Sequence, residues 1–155
     1  MSQDAVQTTE ITGRCLCGAV SVRLQRALPA GIGVCHCNIC RRWGGGPMFA
    51  VEGGAETRFE TRQPDDIAVY ASSEWAERGF CRHCGTHLFC HILQPGLYEI
   101  PVGLFDPQTN FELQAQIFVE QKPAFYAFTN KTHMLTGAEV FAMAAARQKQ
   151  QDSAG

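Results

Sequence analysis

Seven of the eight cysteines fall into three tight clusters: Cys15-Leu16-Cys17, Cys35-His36-Cys37-Asn38-Ile39-Cys40 and Cys81-Arg82-His83-Cys84. Thiolate sulfur is a ligand for soft and borderline metals, zinc above all. A structural zinc takes four protein ligands, and a catalytic zinc keeps one position open. Seven ligands divide as four plus three, the arithmetic of one closed centre and one open centre. The chemistry on offer is therefore that of two zinc ions per chain.

The spacing within each cluster makes local demands on the backbone. Residues i and i+2 of an extended chain point to the same side. Cys15 and Cys17 are expected to share an ion while Leu16 turns into the core. Cys35 and Cys37 are expected to do the same with His36 turned away, where it packs or hydrogen-bonds behind the metal rather than ligating it. The Cys-X-X-Cys pairs, Cys37 with Cys40 and Cys81 with Cys84, suit tight turns that wrap a metal. Gly85 supplies the backbone freedom that such a knuckle needs. Spacing alone does not divide the ligands, because a ribbon of Cys37, Cys40, Cys81 and Cys84 fits equally well.

Other readings of the same residues are weaker. A redox pair expects a βαβ setting, which neither Cys-X-X-Cys has. Metal-bound thiolates are also not free to cycle. A disulfide scaffold is unnecessary in 155 residues, which suffice for a hydrophobic core. Cys90 stands apart, in phase with Leu88 and Ile92, and reads as a small buried hydrophobe; its rival role is an eighth ligand. His83 reads as solvent-facing, and His87 and His91 as paired surface histidines on one strand face.

The elements that must carry these residues are mostly strands. Val20, Val22 and Leu24 alternate with polar neighbours. Further extended runs are expected at Gly31–Cys37, Met48–Val51, Ile67–Ala71, Thr86–Ile92, Leu97–Val102 and Ala115–Val119. Glycine and proline punctuate them, as at Gly44-Gly45-Gly46-Pro47 and Pro95-Gly96. The sequence predicts one helix, capped by Thr136 and running to about Gln150. Residues 1–10 and 151–155 are expected to be disordered around a β domain at 11–128 and a C-terminal extension at 129–150.

The net charge of −2 and the lack of a basic stripe argue against a nucleic-acid partner. No apolar run approaches the ~18 residues of a membrane span, so no membrane partner is expected. The N-terminal stretch lacks a basic start followed by an apolar run, which points to a cytoplasmic location and reduced thiols.

The three cysteine motifs, together with Trp43-Gly44-Gly45-Gly46-Pro47, Ser72-Ser73, Arg78 and Ile117-Phe118-Val119-Glu120-Gln121-Lys122, closely resemble the glutathione-dependent formaldehyde-activating enzyme (GFA) family, which includes the centromere protein V type zinc domain. The likeness covers roughly Ile11 to Phe128. It implies a mainly β fold of coiled, mostly antiparallel sheets around two zinc sites. It implies that Cys15, Cys17, Cys81 and Cys84 form the closed site and that Cys35, Cys37 and Cys40 form the open, catalytic one. It implies a carbon–sulfur lyase that joins glutathione and formaldehyde as S-hydroxymethylglutathione. A zinc-stabilised binding module, or the same chemistry on another thiol adduct, remains the alternative. Arg41 and Arg42, next to the open site, are candidates to pair with glutathione carboxylates. Trp43 and the glycines after it are a candidate flap. Gln116, where members often have histidine, Phe125, near which they often have tryptophan, and Thr129–Phe141 depart from the family pattern.

Overall fold

The computed structural model describes residues 5–54 and 56–155. The expected N-terminal disorder lies outside the described residues for 1–4. Among the described residues eleven strands are present: β1 (Thr9–Arg14), β2 (Val20–Arg26), β3 (Ala30–Cys35), β4 (Met48–Gly53), β5 (Arg58–Thr61), β6 (Ile67–Ala71), β7 (Ala76–Cys81), β8 (His87–Ile92), β9 (Leu97–Pro101), β10 (Phe111–Ile117) and β11 (His133–Leu135). Two α-helices, α1 (Asn38–Gly44) and α2 (Gly137–Ser153), complete the regular structure with two 3-10 turns, Val102–Leu104 and Val119–Gln121. The fold is mainly β with a C-terminal helix, as expected. Among the described residues no helix is long and apolar enough to cross a membrane.

The chain forms two compact units, one from the chain up to Gly31 with Ala50–Glu112, the other from Ile32–Phe49 with Leu113–Gly155. In the first, β1, β2 and β5 form an antiparallel sheet in that order. Val20, Val22 and Leu24 of β2 are buried, the alternation a half-buried strand requires. A second antiparallel run follows the order β4-β9-β8-β7-β6. The half-buried Phe59 of β5 and Tyr98 of β9 pack against the buried Phe89 of β8, the rings meeting at 5.1–5.9 Å. Gly79 sits at an irregularity in the β7–β8 pairing. A Cβ there would lie 2.3 Å from the Phe89 ring. Gly79→Ala is therefore expected to cost about 1–3 kcal/mol or more through overpacking, measurable as a lowered denaturation midpoint.

In the second unit the strand order is β11-β10-β3. The β10–β11 pair is parallel, an exception to the expected antiparallel pattern. Helix α2 is largely exposed. Its capping box carries it: Thr136 Oγ1 accepts from the Glu139 N–H at 3.2 Å and Glu139 Oε2 accepts from the Thr136 N–H at 2.7 Å. Its alanine- and glutamine-rich interior then propagates readily.

Three expectations need correction. Disorder was expected through residue 10, yet Thr9 and Glu10 pair with Arg26 and Gln25 in β1. The tail was expected to be disordered from Gln151, but no proline or glycine interrupts α2, which runs to Ser153. Strand β3 stops at Cys35, and a second helix, α1, begins at Asn38.

Candidate metal centres

The first unit brings Cys15, Cys17, Cys81 and Cys84 together, with all four sulfurs within 4.8 Å of one another. The Sγ atoms of Cys15 and Cys17 are 3.6 Å apart, and those of Cys17 and Cys81 3.7 Å. A tetrahedron with metal–sulfur bonds of ~2.3 Å has sulfur–sulfur edges of ~3.8 Å. A disulfide needs ~2.0 Å, and none of the eight cysteines forms one. Four thiols at this spacing fit a tetrahedral metal ion.

Two turns hold the four. After β1 the chain reverses, the Gly18 N–H donating to the Cys15 carbonyl at 3.1 Å, with Gly18 in the left-handed region at φ +77°. The Val20 N–H then donates to Cys15 Sγ at 3.3 Å. This overturns the extended reading of Cys15–Cys17. Leu16 does not enter the core: it sits at the tip of the turn, 90% exposed, and its N–H donates to Thr86 Oγ1 at 3.1 Å. The Cys81–Cys84 knuckle forms as expected, the Gly85 N–H donating to the Cys81 carbonyl at 2.8 Å with Gly85 at φ +74°. The Thr86 hydroxyl lies 3.1 Å from Cys84 Sγ, so this one side chain braces both turns. Burial pushes the Cys84 thiol up, but the Thr86 hydroxyl and N–H outweigh it and bring it down to about 5. A low thiol favours the thiolate that a metal binds.

The second unit brings Cys35, Cys37 and Cys40 together, again within 4.8 Å, and no fourth His, Cys, Asp or Glu joins them among the described residues. Cys35 ends β3, Cys37 caps α1, and Cys40 lies in its first turn. The Cys40 N–H donates to Cys37 Sγ at 3.3 Å. This replaces the expected tight turn with a helix start, since the chain after Cys37 continues as Arg41 N–H to Cys37 carbonyl at 3.0 Å. Hydrogen bonds from Cys35 and then Cys40 hold the Cys37 thiol down at about 2. Hydrogen bonds with Cys37 and then Cys40, with burial, push the Cys35 thiol up. Three thiols fit an ion that keeps one position for another ligand.

His36 is turned away from the cluster and fully buried. Its ring nitrogens meet Tyr126 Oη at 2.7 Å and Gln116 Oε1 at 2.9 Å. Burial, first among the causes, lowers its pKa. Arg41 donates from Nε to the His36 carbonyl at 2.9 Å, so part of its guanidinium braces the loop. Arg42 is exposed in the last turn of α1. Trp43 is half-buried on the helix, and the turn itself starts at Gly45, φ +81°.

Cys90 is buried in β8 opposite Glu99 and Arg78 and belongs to neither group. His91 is half-buried rather than freely exposed: its cross-strand neighbours are Glu77, 3.0 Å from Nδ1, and Tyr98, stacked at 4.3 Å. His83 is half-exposed but anchored at 2.6 Å to Asp66 Oδ1. Asp66, fully buried, also accepts the Gln63 N–H at 2.7 Å. That anchor was invisible in sequence, because 17 residues separate Asp66 from His83. Thr86 directly follows the Cys81–Gly85 knuckle in the sequence, but its bracing role depends on the fold.

The profile of the family described as glutathione-dependent formaldehyde-activating enzyme matches residues 10–121. The chain belongs to this family. An uncharacterized lyase of Schizosaccharomyces pombe is 36% identical over 132 residues, 84% of this chain and 94% of the relative. A Halomonas elongata protein, provisionally named a glutathione-dependent formaldehyde-activating enzyme, is 30% identical over 86 residues, 51% of this chain and 54% of that protein. A Rhodobacter sphaeroides crystal structure superposes with a TM-score of 0.54 at 24% identity, over 66% of this chain and 97% of its own. That likeness speaks for the fold and for nothing finer.

Proposed function

We propose that the protein is a zinc-dependent carbon–sulfur lyase acting on a thiol–aldehyde adduct, with glutathione and formaldehyde as the partners that the family description suggests. The observation that carries the reading is the three-thiol group of Cys35, Cys37 and Cys40, one ligand short of closure in a chain that also carries a complete group of four. In this reading Cys15, Cys17, Cys81 and Cys84 hold a structural zinc. The family name and a relative called a lyase support the reaction class.

Three thiolates leave a bound divalent ion with net negative charge, a poor setting for polarising a carbonyl. What zinc supplies there is a place for one more thiol in its deprotonated form. In the forward reaction a sulfur lone pair forms the C–S bond to formaldehyde. The carbonyl π pair moves to oxygen, and oxygen takes up the proton that the thiol released. The chain's own part is to present Cys35, Cys37 and Cys40 in fixed geometry and to orient the thiol carrier.

Arg41 and Arg42 directly follow the cluster and are the proposed partners of the glutathione carboxylates. Replacing both with alanine is expected to weaken glutathione binding about tenfold or more by calorimetry. Unchanged affinity removes them from the reading. The deciding experiment is two-dimensional exchange NMR on formaldehyde, glutathione and their adduct. Added protein should speed interconversion. No acceleration at full zinc loading would favour a zinc-stabilised binding module.

A further inference from the structure

The three ligands of the open centre come from six consecutive residues, Cys35 to Cys40, and His36 lies between two of them. His36 is held at both its backbone and its ring. Its N–H donates to the Ile117 carbonyl at 3.1 Å, and its carbonyl accepts from Arg41 Nε at 2.9 Å. Both ring nitrogens are engaged, and the ring stacks against Tyr126 at 5.5 Å and Phe128 at 6.0 Å. Phe49 closes on Phe128 edge-on at 5.4 Å.

The direction of each hydrogen bond follows from the far end of the chain of contacts. The Thr132 hydroxyl donates to the Met134 sulfur at 3.5 Å, so its oxygen accepts the Gln116 Nε2–H at 3.0 Å. Gln116 Oε1 then faces His36 and can only accept, which places the imidazole proton on Nε2. Nδ1 is left bare and accepts the Tyr126 O–H. Tyr126 is itself held by Lys122, whose ammonium donates to the Tyr126 carbonyl and lies 4.9 Å from its ring centroid. A buried imidazole with every polar atom satisfied has one orientation, and the backbone of both flanking cysteines goes with it.

We propose that Gln116 and Tyr126 are positioning residues of the three-cysteine centre, which act through His36 to hold Cys35 and Cys37 at metal-binding spacing. The inference rests on the reading of Cys35, Cys37 and Cys40 as a metal site. A closed tetrahedral site organises itself through its fourth ligand. An open one lacks that constraint and needs its geometry supplied from behind the ligands.

The test is competition of the full-length, zinc-loaded protein against a chelator of known affinity, with cobalt(II) absorption as a second readout of the thiolate sites. Wild type should hold two ions. Gln116→Leu keeps shape but leaves Nε2–H without an acceptor. It should release one ion ~10–100-fold more readily while the other stays as in wild type. Gln116→Glu restores an acceptor and should retain both. Imidazole nitrogen-15 shifts should report the Nε2–H tautomer of His36 in wild type and in Gln116→Glu, and its loss in Gln116→Leu. Tyr126→Phe keeps the ring stack and removes only the hydroxyl. It should weaken the same ion about tenfold, and it decides the matter if Gln116→Leu does not fold. Two ions held as tightly by Gln116→Leu or a folded Tyr126→Phe as by wild type would overturn the inference and leave the proposed function standing. A wild type that binds only the four-cysteine ion would remove both.

Discussion

Cys35→Ser is expected to bring formaldehyde–glutathione exchange down to the uncatalysed rate while leaving the fold in place. Serine is a far poorer ligand than thiolate for zinc, and two remaining cysteines cannot hold an ion that already lacks a fourth partner. Metal analysis should fall from two equivalents to one, and circular dichroism should be unchanged. Cys35 ends β3 rather than sitting in its interior, and it is half-buried rather than part of the core. A Cys35→Ser protein with full activity and two zincs would place the chemistry elsewhere. Persistence of activity with one zinc would sink the metal's role but not the enzyme.

The second large effect is on stability. Cys81→Ser, or exhaustive chelation, is expected to unfold the first unit. Structural zinc sites contribute ~10–16 kcal/mol, against a total stability of ~5–15 kcal/mol for an ordinary domain. Removing such a term leaves nothing in hand. Cys81 is fully buried at the end of β7, and its centre joins the β1–β2 turn to the β7–β8 turn across 64 residues between Cys17 and Cys81. The readouts are loss of cooperative thermal unfolding and exposure of the Phe59, Phe89 and Tyr98 cluster to solvent, followed by near-ultraviolet circular dichroism. A chelated protein that still unfolds cooperatively at its original midpoint would make the four-cysteine group ornamental.

The strands were legible because their signals are local. Alternation in Val20–Leu24 and the run Ile67–Ala71 predict β2 and β6, the latter at its observed bounds. The seven clustered cysteines were legible because metal sites impose short spacings, and the structure groups them four and three. What failed were backbone inferences from spacing alone. Cys-X-Cys has two solutions, an extended pair and a turn. Gly18 at positive φ selects the turn, which sends Leu16 outward. Helix α1 was missed because seven residues ending in Gly44 offer too little periodicity, and Cys37 is an unusual cap, its sulfur taking the place of a serine oxygen. The partners of His36 and His83 lie 80 and 17 residues away, so no window could have paired them.

The order of the ligands along the chain also orders their assembly during synthesis. A ribosome adds ~5–20 residues each second, so Cys40 emerges seconds before Cys84. A nascent chain therefore presents three thiolates in one short segment while the four-thiolate centre is still half made. Gln116 and Tyr126 arrive later than either set. The first cluster able to capture an ion is thus the last to be locked, and until then it can give that ion up.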